Sequence, residues 1–495
     1  AQWEVVDHIS NTTTGFSGTL FKNKSTNELV ISIRSTEFID DVARDCVATN
    51  AMEIADYGWA FGQISDMEAW YAKLKADGKI PSGAKVDATG YSLGGHLATA
   101  FNLLRQEELA QGPQSVSVGQ VVTFNGAGVG QVTGGLSAVM QDFKTLRQNP
   151  DSIAARFTDP RLAELYTTLK NGFAADGHKP GAADYALLDT VTVDANATEY
   201  LQQQFASEKM FLRQAMKRIE RLKNEVVRLQ NVTDAADGTT GRPAQIPDSA
   251  IAQESFAYQM ALQWAQNGKT AAKSLVGGAI NTYLGKSYGS PLLTNQYDIV
   301  GRETTTRQTA MVSDSQWHHG TNVDLFIEDQ PLLRGTFTKQ DAGLFWDTGA
   351  LVPVNQYTQN DFGDTHSLVL IVDSLNIQNA LLQLVPEADR QTQTAKMTSY
   401  LMAASALKAE SATGTQGKAE GDVLETVLDS LVKIFTHTDS QLSEAKTAQN
   451  VGLETGGTWA DKGLREKFYE RLALLQDKDK SSYNDLAGKF TLSLP

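Results

Sequence analysis

The stretch from Lys85 to Leu104, KVDATGYSLGGHLATAFNLL, constrains the fold more than any other part of the chain. A β-rich run ends at Thr89, a helical run rich in Ala and Leu begins near His96, and Gly90-Tyr91-Ser92-Leu93-Gly94 between them satisfies G-x-S-x-G. The five-residue pattern alone is common, but its flanks here are those of a nucleophile elbow. In an elbow a strand turns sharply into a helix and holds the serine hydroxyl exposed above the sheet. Glycines at 90, 94 and 95 let the two backbones come close enough for that turn. Ser92 is therefore the candidate nucleophile. Leu93, with its backbone N–H at the helix start, is a candidate donor to a developing oxyanion.

Short β-rich apolar runs bounded by Gly, Asp, Asn or Ser recur at 29–35, 85–89, 118–124, 292–297 and 322–328. Helical patterns such as 65–77 lie between the first three, which predicts βαβ units and a mostly parallel sheet in an α/β fold. From Gly130 to about Tyr283 the strand signals stop. Leu212, Ala215, Ile219, Leu222, Val226 and Leu229 recur there at alternating spacings of three and four among Lys, Arg and Glu. This heptad-like run covers under three heptads and reads as an antiparallel helix packed in a cap, ended by the loop DAADGTTGRPAQIPDS. After Ser374 the pattern is helical again, notably at 422–435 and 462–475. The expected organisation is a first half-core at 1–130, a helical insertion at 131–284, a second half-core at 285–375 and a helical C-terminal region at 376–495.

Composition removes several function classes. The formal charge of -15 and the lack of any long Lys/Arg block argue against a nucleic-acid binder. One cysteine, Cys46, excludes an internal disulfide framework and a Cys-rich zinc site. No apolar run is long enough to span a membrane, and the first residues, AQWEVVDHIS, show no charged-then-apolar leader.

A serine hydroxyl needs a base, and the chain has seven histidines, at 8, 96, 178, 318, 319, 366 and 437. His96 lies on the elbow helix and points away from where a base must approach, so local packing is its expected role. In the chain order Ser, acid, His, His8 comes too early. His178 and His437 lie in helical regions and read as surface or satisfied histidines. His318 and His319 stand at a strand entrance, whereas His366, in DFGDTHSLVLIVDSL, stands on a polar loop leading into an apolar helix and is the preferred base. For the orienting acid, Asp298 follows LLTNQY at the expected C-terminal end of a strand, where open α/β sheets place their sites. Asp324 lies within a strand, and Asp364 is too close in sequence to His366 to reach its ring.

Several segments together resemble the class 3 lipases, an α/β-hydrolase family that includes fungal triacylglycerol lipases and phospholipase A1 relatives. VDATGYSLGGHLA resembles the family elbow T-G-H-S-L-G-G-A-L-A, with Tyr91 in place of the commoner histidine. VVTFNGAGVG is similar to T-F-G-x-P-R-V-G, with Asn125 and Ala127 as departures. NQYDIVGRE resembles N-x-x-D-I-V-P-R, the motif that carries the family's catalytic acid, and it selects Asp298. HHGTNVDLFI resembles H-x-G-x-E-x-W, which implies a structural role for its histidine, and DTHSLV resembles D-H-L-S-Y, which selects His366.

ISIRSTEFIDDVARDC is similar to the family's F-R-G-S/T strand with its Asp nine positions after the hydroxyl residue, matching Thr36 and Asp45, while Ser35 replaces a usual glycine. The resemblance implies that Thr36 supplies the oxyanion hole with a backbone N–H and a hydroxyl, and that Asp45 holds that hydroxyl. It covers about 1–130 and 285–375.

The expectation is thus an α/β-hydrolase with a large helical cap inserted after the elbow half. Its activity would be that of a lipid-directed serine carboxylic ester hydrolase, triacylglycerol lipase or phospholipase A1. Ser92, His366 and Asp298 would be catalytic, with Thr36 and Leu93 at the oxyanion and Asp45 in support. No cofactor or metal is required. The expected partner is a lipid ester, with transient contact at a lipid interface, no nucleic acid and no transmembrane segment. A secreted, bacterial-type protein is expected, although no signal peptide is visible in the chain. The segment 45–71, rich in Met, Ile, Trp, Phe and Tyr, fits an acyl pocket or lid, or ordinary core. Two other outcomes stand beside this one: a soluble short-chain esterase, and a helical interaction or effector protein on a hydrolase scaffold.

Overall fold

The computed structural model describes residues 2–36, 43–130, 135–176, 179–230, 252–266, 293–302, 320–326 and 368–382, with the isolated positions Ser430 and Lys433. The chain divides into two compact units, Ala1–Asp298 with Met311–Thr321, and Ile299–Ala310 with Asn322–Pro495.

In the first unit, β1 (Trp3–Ile9), β2 (Gly18–Asn23) and β3 (Leu29–Ile33) form an antiparallel edge. The sheet then continues in parallel through β4 (Lys85–Tyr91) and β5 (Ser117–Phe124). Each parallel step needs a crossover: α1 (Phe61–Ala76) precedes β4, and α2 (Leu93–Gln111) links β4 to β5. The sheet is therefore mixed, parallel where the elbow sits and antiparallel at the N-terminal edge. Strands β1 and β2 carry no clean apolar alternation: β1 is exposed or half-buried along its whole length, which is why the sequence pattern did not single it out.

The beginning of β6 (Gln296–Arg302) lies beyond β5, anchored where the Val121 N–H donates to the Asn295 carbonyl at 2.9 Å. The expected strand over 292–297 is displaced. Thr294 and Asn295 form a turn, and the strand is built on Tyr297-Asp298-Ile299-Val300, so Asp298 is the third residue of the strand rather than the residue after it. The β-branched pair Ile299-Val300 fits a pleated strand better than a Thr-Asn pair with a turn preference.

The π-helix at Ala43–Ile54 leads through a short α turn to Gly58, and α1 follows. Trp59, Phe61, Ile64, Met67, Trp70 and Tyr71 are all buried in the main core. Of the two readings of the aromatic-rich segment 45–71, core is the one realised by these residues.

The described elements between 135 and 266 are all helices. They comprise α3 (Leu136–Gln148), α4 (Pro160–Asp176), α5 (Ala182–Thr190), α6 (Glu199–Gln230) and α7 (Phe256–Gln266), with short 3-10 turns at Pro150–Arg156 and Ala252–Glu254. Leu212, Ala215, Ile219 and Leu222 of the heptad-like run are buried on α6. Helix α7 is buried on nearly every side, and aromatic edges meet it: Phe143 on Tyr258 at 5.3 Å and Phe173 on Phe256 at 5.3 Å. Phe143 also meets Phe61 of α1 at 5.6 Å, so the helical block shares one continuous core with the sheet side.

In the second unit the described elements are the end of β6 from Ile299, β7 (Thr321–Phe326) from Asn322, and α8 (Leu368–Leu382). Among the described residues no helix is long and apolar enough to cross a membrane.

Among the ionisable groups buried in the first unit, Glu53 is the one whose carboxyl is pushed furthest toward neutral pH. Glu53 of the π-helix is fully enclosed, accepting hydrogen bonds from the Tyr258 hydroxyl and from the Gly62 N–H at 3.2 Å. Burial lifts its carboxyl to about 7, against the pull of those two hydrogen bonds and of Arg218 and Arg147. Between about pH 4.5 and pH 7 the unfolded chain has released this proton while the folded chain retains it, so stability falls as pH rises through that window. The group's contribution is roughly 3 kcal/mol across the window. Urea unfolding of the wild type and of Glu53→Gln at pH 5 and pH 8 is expected to show the wild type losing stability relative to the variant at pH 8. A constant difference between the two proteins would show that Glu53 does not titrate in this range.

Candidate active site

Ser92 stands between β4 and α2 with φ 52° and ψ -116°, a conformation that a residue with a β-carbon adopts only under strain. Its hydroxyl does not cap the helix it precedes. The strain is held in place by backbone hydrogen bonds from the end of β5, from the turn after it and from α2. The Ser92 N–H donates to the Phe124 carbonyl at 2.9 Å, and the Ser92 carbonyl accepts from Ala127 N–H at 3.1 Å and from Gly95 N–H at 3.0 Å. Space for this comes from missing side chains. A β-carbon on Gly90 would lie 2.0 Å from the Gly94 carbonyl oxygen, and one on Gly94 would lie 2.3 Å from the Ile33 carbonyl oxygen.

Asn125, which departs from the glycine of the resembling motif, has φ 45° and is buried. Asparagine is among the non-glycine residues that best tolerate this left-handed region, so the turn after β5 keeps its shape despite the substitution.

The contact of Gly94 with the Ile33 and Arg34 carbonyls brings the end of β3 against the first turn of α2. Ser35 and Thr36 follow directly in the chain. Thr36 is buried, and its Oγ1 accepts a hydrogen bond from Asn50 Nδ2 at 3.0 Å. Asp45, the residue expected on that hydroxyl, is buried with other partners: Oδ1 accepts from Gln63 Nε2 at 2.7 Å, and Oδ2 lies 3.7 Å from Arg34.

Asp298 is buried, and both its oxygens are engaged. Oδ1 accepts from Thr123 Oγ1 at 2.7 Å and from Gln296 Nε2 at 2.8 Å, and Oδ2 accepts from Gly320 N–H at 3.2 Å. Gln296 Nε2 also reaches Thr99 Oγ1 on the elbow helix at 2.9 Å. Thr123 pairs in register with Gly90, two residues before Ser92. The carboxylate is thus level with the elbow on a strand two places from β4, at ~10 Å by strand spacing.

His366, the expected base, lies outside the described residues, as do His178, His318, His319 and His437. His96 is fully buried. Its Nδ1 faces the Gly128 carbonyl at 2.9 Å and its Nε2 accepts from the Ala60 N–H at 3.1 Å. Burial, opposed in part by the Gly128 bond, drops it to about 4, so it is neutral near pH 7 with both nitrogens engaged and cannot act as the base. His8 bonds Thr19 on the edge strands.

Residue-by-residue reading missed Asn50, Thr123, Gln296 and Gly320. Only Gly320 carried a signal, as a glycine before a strand: its β-carbon would meet the Asp298 carboxyl at 3.0 Å, so this position must lack one for the backbone to reach the acid. Among the described residues no group of three or more His, Cys, Asp or Glu is placed to hold a metal ion.

Compared with known protein families and with curated proteins, the chain matches none. Among solved structures it is similar to that of M37 lipase, with 21% identity over 28% of this chain and 50% of that chain and a TM-score of 0.20. The match spans about half the length of that lipase.

Replacing Ser92 by glycine removes the steric source of the strain, whereas alanine keeps it. Ser92→Gly is expected to be more stable than Ser92→Ala by about 1 kcal/mol, after the extra chain entropy of glycine is counted. Thermal melts of the two variants check this, and equal midpoints would mean that the backbone at Ser92 is unstrained.

Proposed function

We propose that the chain is a serine carboxylic ester hydrolase acting on lipid esters, of the triacylglycerol lipase or phospholipase A1 kind. The observation that carries this reading is the strained, doubly braced backbone of Ser92 at a strand-to-helix turn. Strain of this kind persists only where surrounding structure imposes it, and it aims a side chain that an ordinary turn would not.

The mechanism is two-step acyl transfer. Ser92 Oγ attacks the ester carbonyl as a base removes its proton, and the tetrahedral intermediate collapses to an acyl-enzyme as the protonated base gives that proton to the departing alcohol. Water, activated by the same base, releases the acid. His366 is the proposed base, Asp298 orients its ring, and Leu93 N–H with Thr36 stabilises the oxyanion. Donors fixed before the reaction can each supply on the order of 3 kcal/mol. The dense bonding of Asp298 suits an orienting acid, since it locks the carboxylate in one rotamer. Secretion and contact with a lipid interface belong to the same proposal.

A soluble short-chain esterase is the second reading. It is favoured by the burial of Trp59, Phe61, Met67 and Trp70 as core, which leaves those side chains out of any lipid-facing lid. The two separate by rate against substrate concentration, because only the lipase shows a jump above the substrate's solubility limit.

The deciding experiment for the chemistry is intact mass after treatment with a fluorophosphonate. One adduct is expected on the wild type and none on Ser92→Ala. A folded wild type that takes no adduct, with or without detergent, would overturn the hydrolase reading and favour a scaffold protein. Asp298→Asn is expected to keep the adduct but lower kcat by a factor of about 100 or more, measured on a chromogenic ester.

A further inference from the structure

We propose that Asn50 is the positioning residue of the oxyanion hole, acting through the hydroxyl of Thr36. The inference rests on the hydrolase reading above and assigns a residue that neither the motifs nor the resemblance singled out.

The direction of one hydrogen bond carries the argument. Asn50 Nδ2 donates to Thr36 Oγ1 at 3.0 Å, so the threonine oxygen acts as an acceptor in this contact. Among the described residues Thr36 makes no other side-chain hydrogen bond, and the hydroxyl proton is left unspent. Thr36 is only 9% exposed, so bulk water does not readily satisfy that proton. A buried hydroxyl that accepts one hydrogen bond and has its proton available is a poised donor. The accepted bond polarises the O–H and strengthens the bond it gives.

The carboxylate that the family resemblance implies for this role would act in the opposite sense. A carboxylate on Thr36 Oγ1 can only accept, and would take the proton that the oxyanion needs. Asp45 is instead drawn away by Gln63 and Arg34, both facing it from other segments of the first unit. Ser35, the preceding residue, does not take the proton either, because its own Oγ is buried without a partner.

The location is also right. Gly94, in the first turn of α2, packs on the Ile33 and Arg34 carbonyls, so Thr36 emerges beside the turn that carries Ser92 and the Leu93 N–H. Asn50 comes from the π-helix, a conformation uncommon in proteins and frequent at functional sites. It reaches Thr36 across 14 residues of chain. The π-helix thereby sets the rotamer of a side chain it does not carry.

The test is a mutant cycle on hydrolysis of a soluble chromogenic ester, with kcat and KM measured separately. Asn50→Ala is expected to lower kcat about tenfold or more with little change in KM, as for an interaction made chiefly in the transition state. Asn50→Asp keeps the shape but supplies an acceptor and a negative charge, and is expected to be slower than Asn50→Ala. Because Asn50 acts only through Thr36, the double variant Thr36→Val/Asn50→Ala is expected to match Thr36→Val alone. A wild-type kcat in Asn50→Ala, or losses that add in the double variant, would overturn the assignment. If Asn50→Ala fails to fold, Asn50→Asp at wild-type kcat would overturn it equally. Absence of fluorophosphonate labelling on the folded wild type overturns the hydrolase reading and this inference together. Labelling with an unchanged Asn50→Ala overturns the inference alone.

Discussion

The candidate site depends on backbone meeting backbone with no side chains between. Gly90, Gly94 and Gly95 let β4 and α2 close on each other, and the same approach seats α2 on the end of β3 and on the turn after β5. From that contact follows the strained φ of Ser92, which is sustained because Phe124 at the end of β5 binds its N–H and Ala127 in the following turn binds its carbonyl. Remove the close approach and Ser92 relaxes into an ordinary cap. The energy stored in one residue is only of the order of 1–3 kcal/mol, but several backbone hydrogen bonds hold it in place.

Two polar systems in the first unit hold their groups by different means. On the β6 side a chain of neutral donors, Thr123, Gln296 and the Gly320 N–H, surrounds the Asp298 carboxylate, and Gln296 ties it to Thr99 on the elbow helix. No cation is among these hydrogen-bond partners. On the π-helix side Glu53 is held by Tyr258 and Gly62, and its carboxyl is pushed up to about 7 because burial outweighs two hydrogen bonds and two distant arginines. The π-helix therefore carries both a buried acid that fastens it to α7 and the Asn50 amide that reaches Thr36. Its rigidity and its chemistry share one short segment.

Legibility varied with how local the cause was. The elbow could be read because strand, glycines, serine and helix are consecutive. Asp298 could be chosen because a carboxylate beside an apolar run is a local signal, yet its place inside the strand depended on which residues β5 would accept as neighbours. The edge strand β1 escaped because an exposed strand needs no alternation. Asn125 illustrates the converse case: it looks like a departure in the motif, and its positive φ shows why an asparagine serves there. The aromatic run at 45–71 allowed a pocket or a core by composition, and only burial distinguished them.

What sequence determined by itself is the α/β alternation of the first unit, the elbow, the helical character of the stretch after Gly130, and the candidacy of Ser92 and Asp298. Each rests on residues adjacent in the chain or on a short periodicity. Tertiary structure alone decided that Asn50 rather than Asp45 meets Thr36, that Thr123, Gln296 and Gly320 hold Asp298, and that His96 is a buried neutral spacer. These are contacts between residues far apart in the chain, and their partners are chosen by how strands and helices pack, which no local pattern encodes.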